Sequence, residues 1–231
     1  MAIYVIQDRR TRRELAVIEA PSQARALEWA ARRGLSLRGV DLARMDLRGT
    51  FLAGADLRSA GLERADLAGC YLRGADLRDA HLRGARVAHG FLGSADLRRA
   101  DLRDADLSRA DLGEALLTGA DLRGTILTCA RLDGTLCDWR WAAIPAELLR
   151  QEPDPAGLGS ALVVALAFHD DTRPWSWLKR IVGHGPATEW ALRALASRVR
   201  EEDNAPELLR SLVADATSDR ASFRPEPQTT A

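Results

Sequence analysis

The stretch GCYLRGADLRDAHLRGARVAHGFLG, residues 69–93, sets an apolar residue at every fifth position: Leu72, Leu77, Leu82, Val87 and Leu92. The same beat runs without insertion or deletion from Leu37 to Leu132, giving twenty centres that are all leucine except Val87. Two residues before each centre the side chain is small, alanine in thirteen of the twenty, while the first three are larger: Leu35, Val40 and Met45. A period of five matches neither the 3.6 of a helix nor the 2 of a strand, and either element would scatter these leucines around all its faces. What fits is a chain that turns a corner every five residues and keeps the leucine and the small residue pointing inward.

The units ADLRS, ADLAG, ADLRD and ADLSR resemble the pentapeptide-repeat family. The resemblance covers roughly residues 35–135 and implies a β-solenoid, a right-handed quadrilateral β-helix with four repeats to a coil. Twenty repeats then make five coils, stacked about 4.8 Å apart. Residues twenty apart would lie above one another. Phe51, Tyr71 and Phe91 would form one column, continued by Asp111 and Arg131, in a slot where other repeats place Asp. Asp56, Asp76 and Asp96 would rise on another face beside Arg58, Arg78 and Arg98, as surface ion-pair columns of small energetic value. For the aromatic column two readings stand. Like side chains stacked on adjacent strands support the solenoid, and a contiguous exposed apolar stripe docks a partner.

The flanks divide the chain further. Residues 2–7 and 14–20 are short β-rich runs around the polar turn DRRTRR, which predicts a hairpin. A helix follows, opened by Pro21 and Ser22 and ended by Gly34, with Ala26, Leu27, Trp29 and Ala30 as its apolar face. Hairpin and helix, residues 1–34, are expected to cap the first coil, and Leu35, Val40 and Met45 to plug its end. Residues 136–216 read as an α-helical domain. There Pro145, Pro155, Pro174, Pro186 and Pro206 each precede a helix-like run, and five of the six tryptophans lie in 139–190. Residues 217–231 read as a disordered tail.

Composition excludes several classes. Thirty-three basic and thirty-three acidic residues cancel. By segment the balance is +3 for 1–34 (7 − 4), 0 for 35–134 (15 − 15) and −3 for 135–231 (11 − 14), so no polybasic surface for direct nucleic-acid binding is present. Cys70, Cys129 and Cys137 lack paired spacing, which argues against a disulfide framework or zinc site. The N-terminus becomes charged too soon for a signal sequence, and the longest apolar run, 161–168, is too short for a membrane span. A cytoplasmic protein without membrane contact is expected.

The candidate chemistry is sparse. His169, Asp170 and Asp171 could hold a metal or exchange protons, yet HDDT before Pro174 is also how a helix begins. His89 and Cys129 share a column but stand two coils apart, too far to share a metal ion. No phosphate loop, dinucleotide fingerprint or nucleophile elbow occurs. The expectation is therefore no enzyme, no cofactor, no metal and no catalytic residue. The expected function is a protein-interaction or scaffold module that presents a rigid β-helix, with Phe51, Tyr71, Phe91 and Asp111 as partner-binding candidates and the C-terminal helices as the place for a homodimer contact. The resemblance implies an alternative, a DNA-mimic-like modulator or protector of type II topoisomerase (DNA gyrase). Against it stands the even balance of charge along the repeats.

Overall fold

The computed structural model describes residues 1–137. The C-terminal helices, the tail, the tryptophans beyond residue 137 and the His169, Asp170, Asp171 cluster lie outside the described residues. Within them, the five-residue beat winds into five stacked coils. The decisive register is twenty residues: parallel bridges join Phe51 to Tyr71, Tyr71 to Phe91, Asp56 to Asp76, and so on around the four sides. The leucine centres and the alanines two before them are buried throughout. Each leucine contributes about 1.5–3 kcal/mol of apolar burial before entropy is charged.

The corner is a tight turn in which the residue three past each centre donates its N–H back to the centre's carbonyl, as Ala55 does to Leu52 at 3.1 Å. The residue two past the centre takes a positive φ, between 56° and 76°, at every one of the twenty corners. That is the second central position of a type II turn, which glycine fills without strain. Eleven of the twenty corners carry a side chain instead, each at a cost on the order of 1 kcal/mol. The coil ladder is strong enough to impose that conformation on Arg, Asp, Glu, Ser, His and Cys alike. The ladder also continues slightly past Thr135, since Leu136 bridges Leu116 and Cys137 is buried.

The first coil is closed by the predicted cap. Strands β1 (Ala2–Gln7) and β2 (Glu14–Ala20) pair antiparallel, and helix α1 (Gln23–Arg32) follows. Ser22 Oγ caps α1 by accepting from the Arg25 N–H. Ile6, Ile18, Ala20, Ala26, Leu27 and Ala30 join the solenoid's core. The polar edge is closed as well: Gln7 O accepts from the Asp41 N–H at 3.0 Å, and the Arg9 N–H donates to Gly39 O at 2.7 Å. Arg9 then crosses to Glu63 at 2.7 Å over Gly61. A Cβ at Gly61 would stand 3.1 Å from Arg9 Nε, which accounts for a glycine where other repeats carry Asp.

Three expectations about the cap are corrected. Trp29 does not belong to the buried face of α1. It is exposed, with the Arg33 guanidinium 4.5 Å above its ring, and Glu28 is buried beside it in its place. Leu35 is exposed rather than inward, because it completes the helix stop. Its N–H reaches back to Ala30 O and that of Gly34 to Ala31 O, with Gly34 at φ +67°, so Leu35 faces away from the coil. Met45 is only partly buried, packed against the core, whereas Val40 is fully inward.

Glu28 is inside for a reason. In the stacked coils the Tyr71 N–H donates to Thr50 O, twenty-one residues earlier. The corresponding carbonyl for Phe51 would be Ala30 O, which the end of α1 already uses. The Glu28 carboxylate replaces it, accepting from the Phe51 N–H at 3.1 Å with one oxygen and from Arg25 at 2.7 Å with the other. Glu28→Ala should therefore cost about 1–3 kcal/mol, the penalty of an unmet buried amide, and Glu28→Gln should recover most of it. Chemical denaturation of the two variants side by side measures the difference.

Candidate functional site

Each repeat has five backbone N–H groups, and the coils use four. In repeat 75–79 the Ala75 amide closes the corner below, Asp76 donates to Ala55 O, Leu77 to Asp96 O and Asp79 to Arg98 O. The remaining amide, that of Arg78, donates to the Asp76 carboxylate at 3.2 Å. The slot before each centre exists to hold that acceptor. It is Asp in ten of twenty repeats and Glu in none, and all ten aspartates accept from the amide two residues on, at 3.0–3.5 Å. Glu is too long to turn back on its own repeat. Sequence reasoning took this slot as a solvent-facing position and missed the bond, although the exclusion of Glu was the available signal.

Where Arg follows two residues after Asp, the same carboxylate also takes the guanidinium. Arg58, Arg78 and Arg98 each clasp their own aspartate, Asp56, Asp76 and Asp96, through Nε and Nη2 at 2.6–2.9 Å. Each of the first two also leans toward the aspartate one coil on, Arg58 to Asp76 at 3.5 Å and Arg78 to Asp96 at 3.6 Å. Asp101, Arg103, Asp121 and Arg123 repeat the arrangement on the next side. These columns are neutralised ladders, as the sequence implied.

The aromatic column occupies the acceptor slot and gives the bond up. Phe51, Tyr71 and Phe91 stack nearly face to face, with centroids 4.2 Å apart at 5° and 4.7 Å apart at 12°. The amides of Ala53, Arg73 and Gly93 therefore lack the acceptor that an aspartate in the slot supplies. The rings remain 46%, 37% and 44% exposed. Gly49 and Gly69 stand on the corners before Phe51 and Tyr71 and Gly54 and Gly74 on those after, while exposed Arg73 and His89 flank Tyr71 and Phe91. Asp111 continues the column but not its chemistry. It accepts from the Gly113 amide at 3.0 Å and faces Arg131 at 3.4 Å, ending the apolar run. Three of the four expected docking residues therefore form one stripe, and the fourth terminates it.

Cys70 lies inward and burial pushes its thiol up to about 12, which keeps it protonated. Among the described residues no group of three His, Cys, Asp or Glu side chains could hold a metal ion, and no helix is long and apolar enough to cross a membrane.

Two comparisons match this architecture. A family model described as pentapeptide repeats matches eight copies across residues 36–74, 60–99, 75–113 and 105–136. Among solved structures, a pentapeptide repeat protein from Nostoc Pcc 7120 is 36% identical, with 38% of this chain and 75% of that one covered and a TM-score of 0.33. One from the cyanobacterium Cyanothece 51142 is 35% identical, covering 44% and 66%, with a TM-score of 0.27. A trypsin-treated form of the plasmid-mediated fluoroquinolone resistance protein QnrB1 is 25% identical, covering 43% and 63%, with a TM-score of 0.22. The chain thus spans slightly less than two thirds of the Cyanothece and resistance proteins. No curated protein matches.

The carboxylate slot makes an acid-stability prediction. The side-chain bond from Arg48 lowers Asp46 from the ordinary 3.8 to about 2, and the Arg58 and Arg78 bonds hold Asp56 and Asp76 below the usual range. A folded-state value below the unfolded one stabilises the fold above about pH 4 and is lost as pH falls through the folded value. The melting temperature should therefore stay level from pH 7 to 5 and drop steeply between pH 4 and 2. Circular dichroism melts across that range test it; a level profile down to pH 2 would contradict the assignment.

Proposed function

Since the chain belongs to the pentapeptide-repeat family through residues 36–136, we propose that it is a non-enzymatic interaction module whose rigid β-helix docks a protein partner along Phe51, Tyr71 and Phe91. One observation carries this reading: three successive coils fill this slot on one side with half-exposed rings stacked nearly face to face. Stacking alone is a weaker account. The solenoid is already secured by its inward leucines and its ladder, and the aspartates it gives up would supply charge-assisted bonds to the backbone. An apolar stripe flanked by Arg73 and His89 suits a flat or extended protein segment, with the ring edges supplying contact area at little entropic cost.

The test uses asparagine rather than aspartate. Asp at all three positions would stand in one column with Asp111, and of the three repeats only Tyr71's has an Arg two residues on, so carboxylate repulsion would confound the result. Asn restores the acceptor for the fifth amide without charge. The Phe51→Asn, Tyr71→Asn, Phe91→Asn variant should fold with equal or greater thermal stability and lose the proteins that wild type captures from lysate of the source cells. Equal capture by both proteins would sink the proposal.

The alternative, a DNA-mimic-like modulator of type II topoisomerase, requires an anionic surface for a basic saddle. The ladders oppose it, since Arg side chains clasp aspartates on three sides of the rod. Gyrase supercoiling, assayed with and without a quinolone, should be unchanged by a large molar excess of the protein.

A further inference from the structure

The hairpin has a second face that the cap does not use. Ile6, Ile18 and Ala20 enter the core, with Tyr4 and Ala16 packed against it. The alternate residues point the other way: Ile3 is 72% exposed, Val5 39%, Leu15 38% and Val17 58%, and Met1 lies beside them. The pairing sets Val5 opposite Val17 at the middle of this face and Ile3 opposite Glu19 at its end. A one-sided antiparallel sheet ordinarily turns polar residues to solvent. This one is apolar on both sides.

We propose that the outer face of β1 and β2 is a homodimer interface, in which a second copy packs its hairpin face to face and antiparallel across the Val5–Val17 pair. Area supports a dimer. The exposed side chains amount to on the order of 500 Å² of apolar surface, at the upper range of what single proteins leave open. A stable pair needs about 800 Å² from each partner, so the apolar centre has to be completed by the polar rim around it. A contact that is the same patch on both copies also closes after two, so the free hairpin does not lead to filaments.

Charge selects the antiparallel arrangement. The turn between the strands carries Arg10, Arg12 and Arg13, of which Arg12 is held by Asp41 at 2.7 Å. The turn end also carries exposed Glu14, and the opposite end of the face carries exposed Glu19 with the N-terminal ammonium of Met1 at the same strand end. Antiparallel packing sets each turn over the partner's Glu19, twice by symmetry. Parallel packing would stack arginines on arginines, which selects against it.

Sedimentation velocity on the full chain over a concentration series tests the proposal. Wild type should sediment as a dimer at tens of micromolar, and the Val5→Lys, Val17→Lys variant should dissociate at least tenfold more readily with an unchanged circular dichroism spectrum. Should that variant fail to fold, Glu19→Arg on the exposed rim should weaken the dimer, and adding Arg10→Glu and Arg13→Glu should restore it. A wild type monomeric at about 100 μM overturns the proposal, as does a dimer indifferent to Val5→Lys, Val17→Lys and to Glu19→Arg. A monomer that melts earlier when Val17 is charged would assign the patch to residues 138–231 instead and would also overturn it.

Discussion

Every repeat of this solenoid has one backbone amide more than its coils can satisfy, and the disposal of that amide organises the surface. The corners and the inter-coil ladder take four of the five N–H groups. The fifth points outward beside the slot that precedes the leucine. An aspartate there accepts it at no cost in reach, and the same carboxylate then has a second oxygen free to receive an arginine two residues on. The ion-pair columns are therefore a by-product of backbone chemistry more than an independent source of stability, which exposed pairs rarely supply. Gly61, His81, Arg86, Leu116, Ile126 and Arg131 lack the carboxylate as the aromatics do; what sets the aromatic column apart is that three coils in succession fill the slot with stacked rings.

Much of the rod was legible in the residues. The leucine beat and its small companion indicate which side chains are inward, and the twenty-residue register follows once the family resemblance supplies four repeats to a coil. The columns Phe51, Tyr71, Phe91 and Asp56, Asp76, Asp96 stand where that register puts them. Less legible was everything decided by a single hydrogen bond. Trp29 reads as core from composition, yet Glu28 is drawn inside because Phe51 lacks a carbonyl below it. Leu35 reads as a plug, yet the helix stop turns it out. Hydrophobicity patterns report burial on average; they do not report which amide is left over.

The cap and the repeats solve the same problem by different means. A coil in the middle of the stack finds its acceptors in the coils beside it. The first coil has none below, so a strand carbonyl from Gln7 and a side-chain carboxylate from Glu28 stand in for the missing layer. This arrangement ends the ladder without exposing a strand edge to further pairing. It also leaves the hairpin's outer face free of any duty to the solenoid.

The clasp between Asp and the Arg two residues on has an evolutionary consequence. Because acceptor and donor belong to the same repeat, a copied block of twenty residues brings its charges already matched. Duplication or loss of a whole coil therefore leaves these clasped pairs intact, whereas the pairs made only between coils, such as Arg86–Asp66 and Arg99–Asp79, would break at the junction. The aromatic column has no such local partner: its rings are matched only to the rings above and below. Growth by duplication is thus electrostatically silent for the clasped pairs, while on the aromatic side it would change the length of the stripe and so be visible to selection.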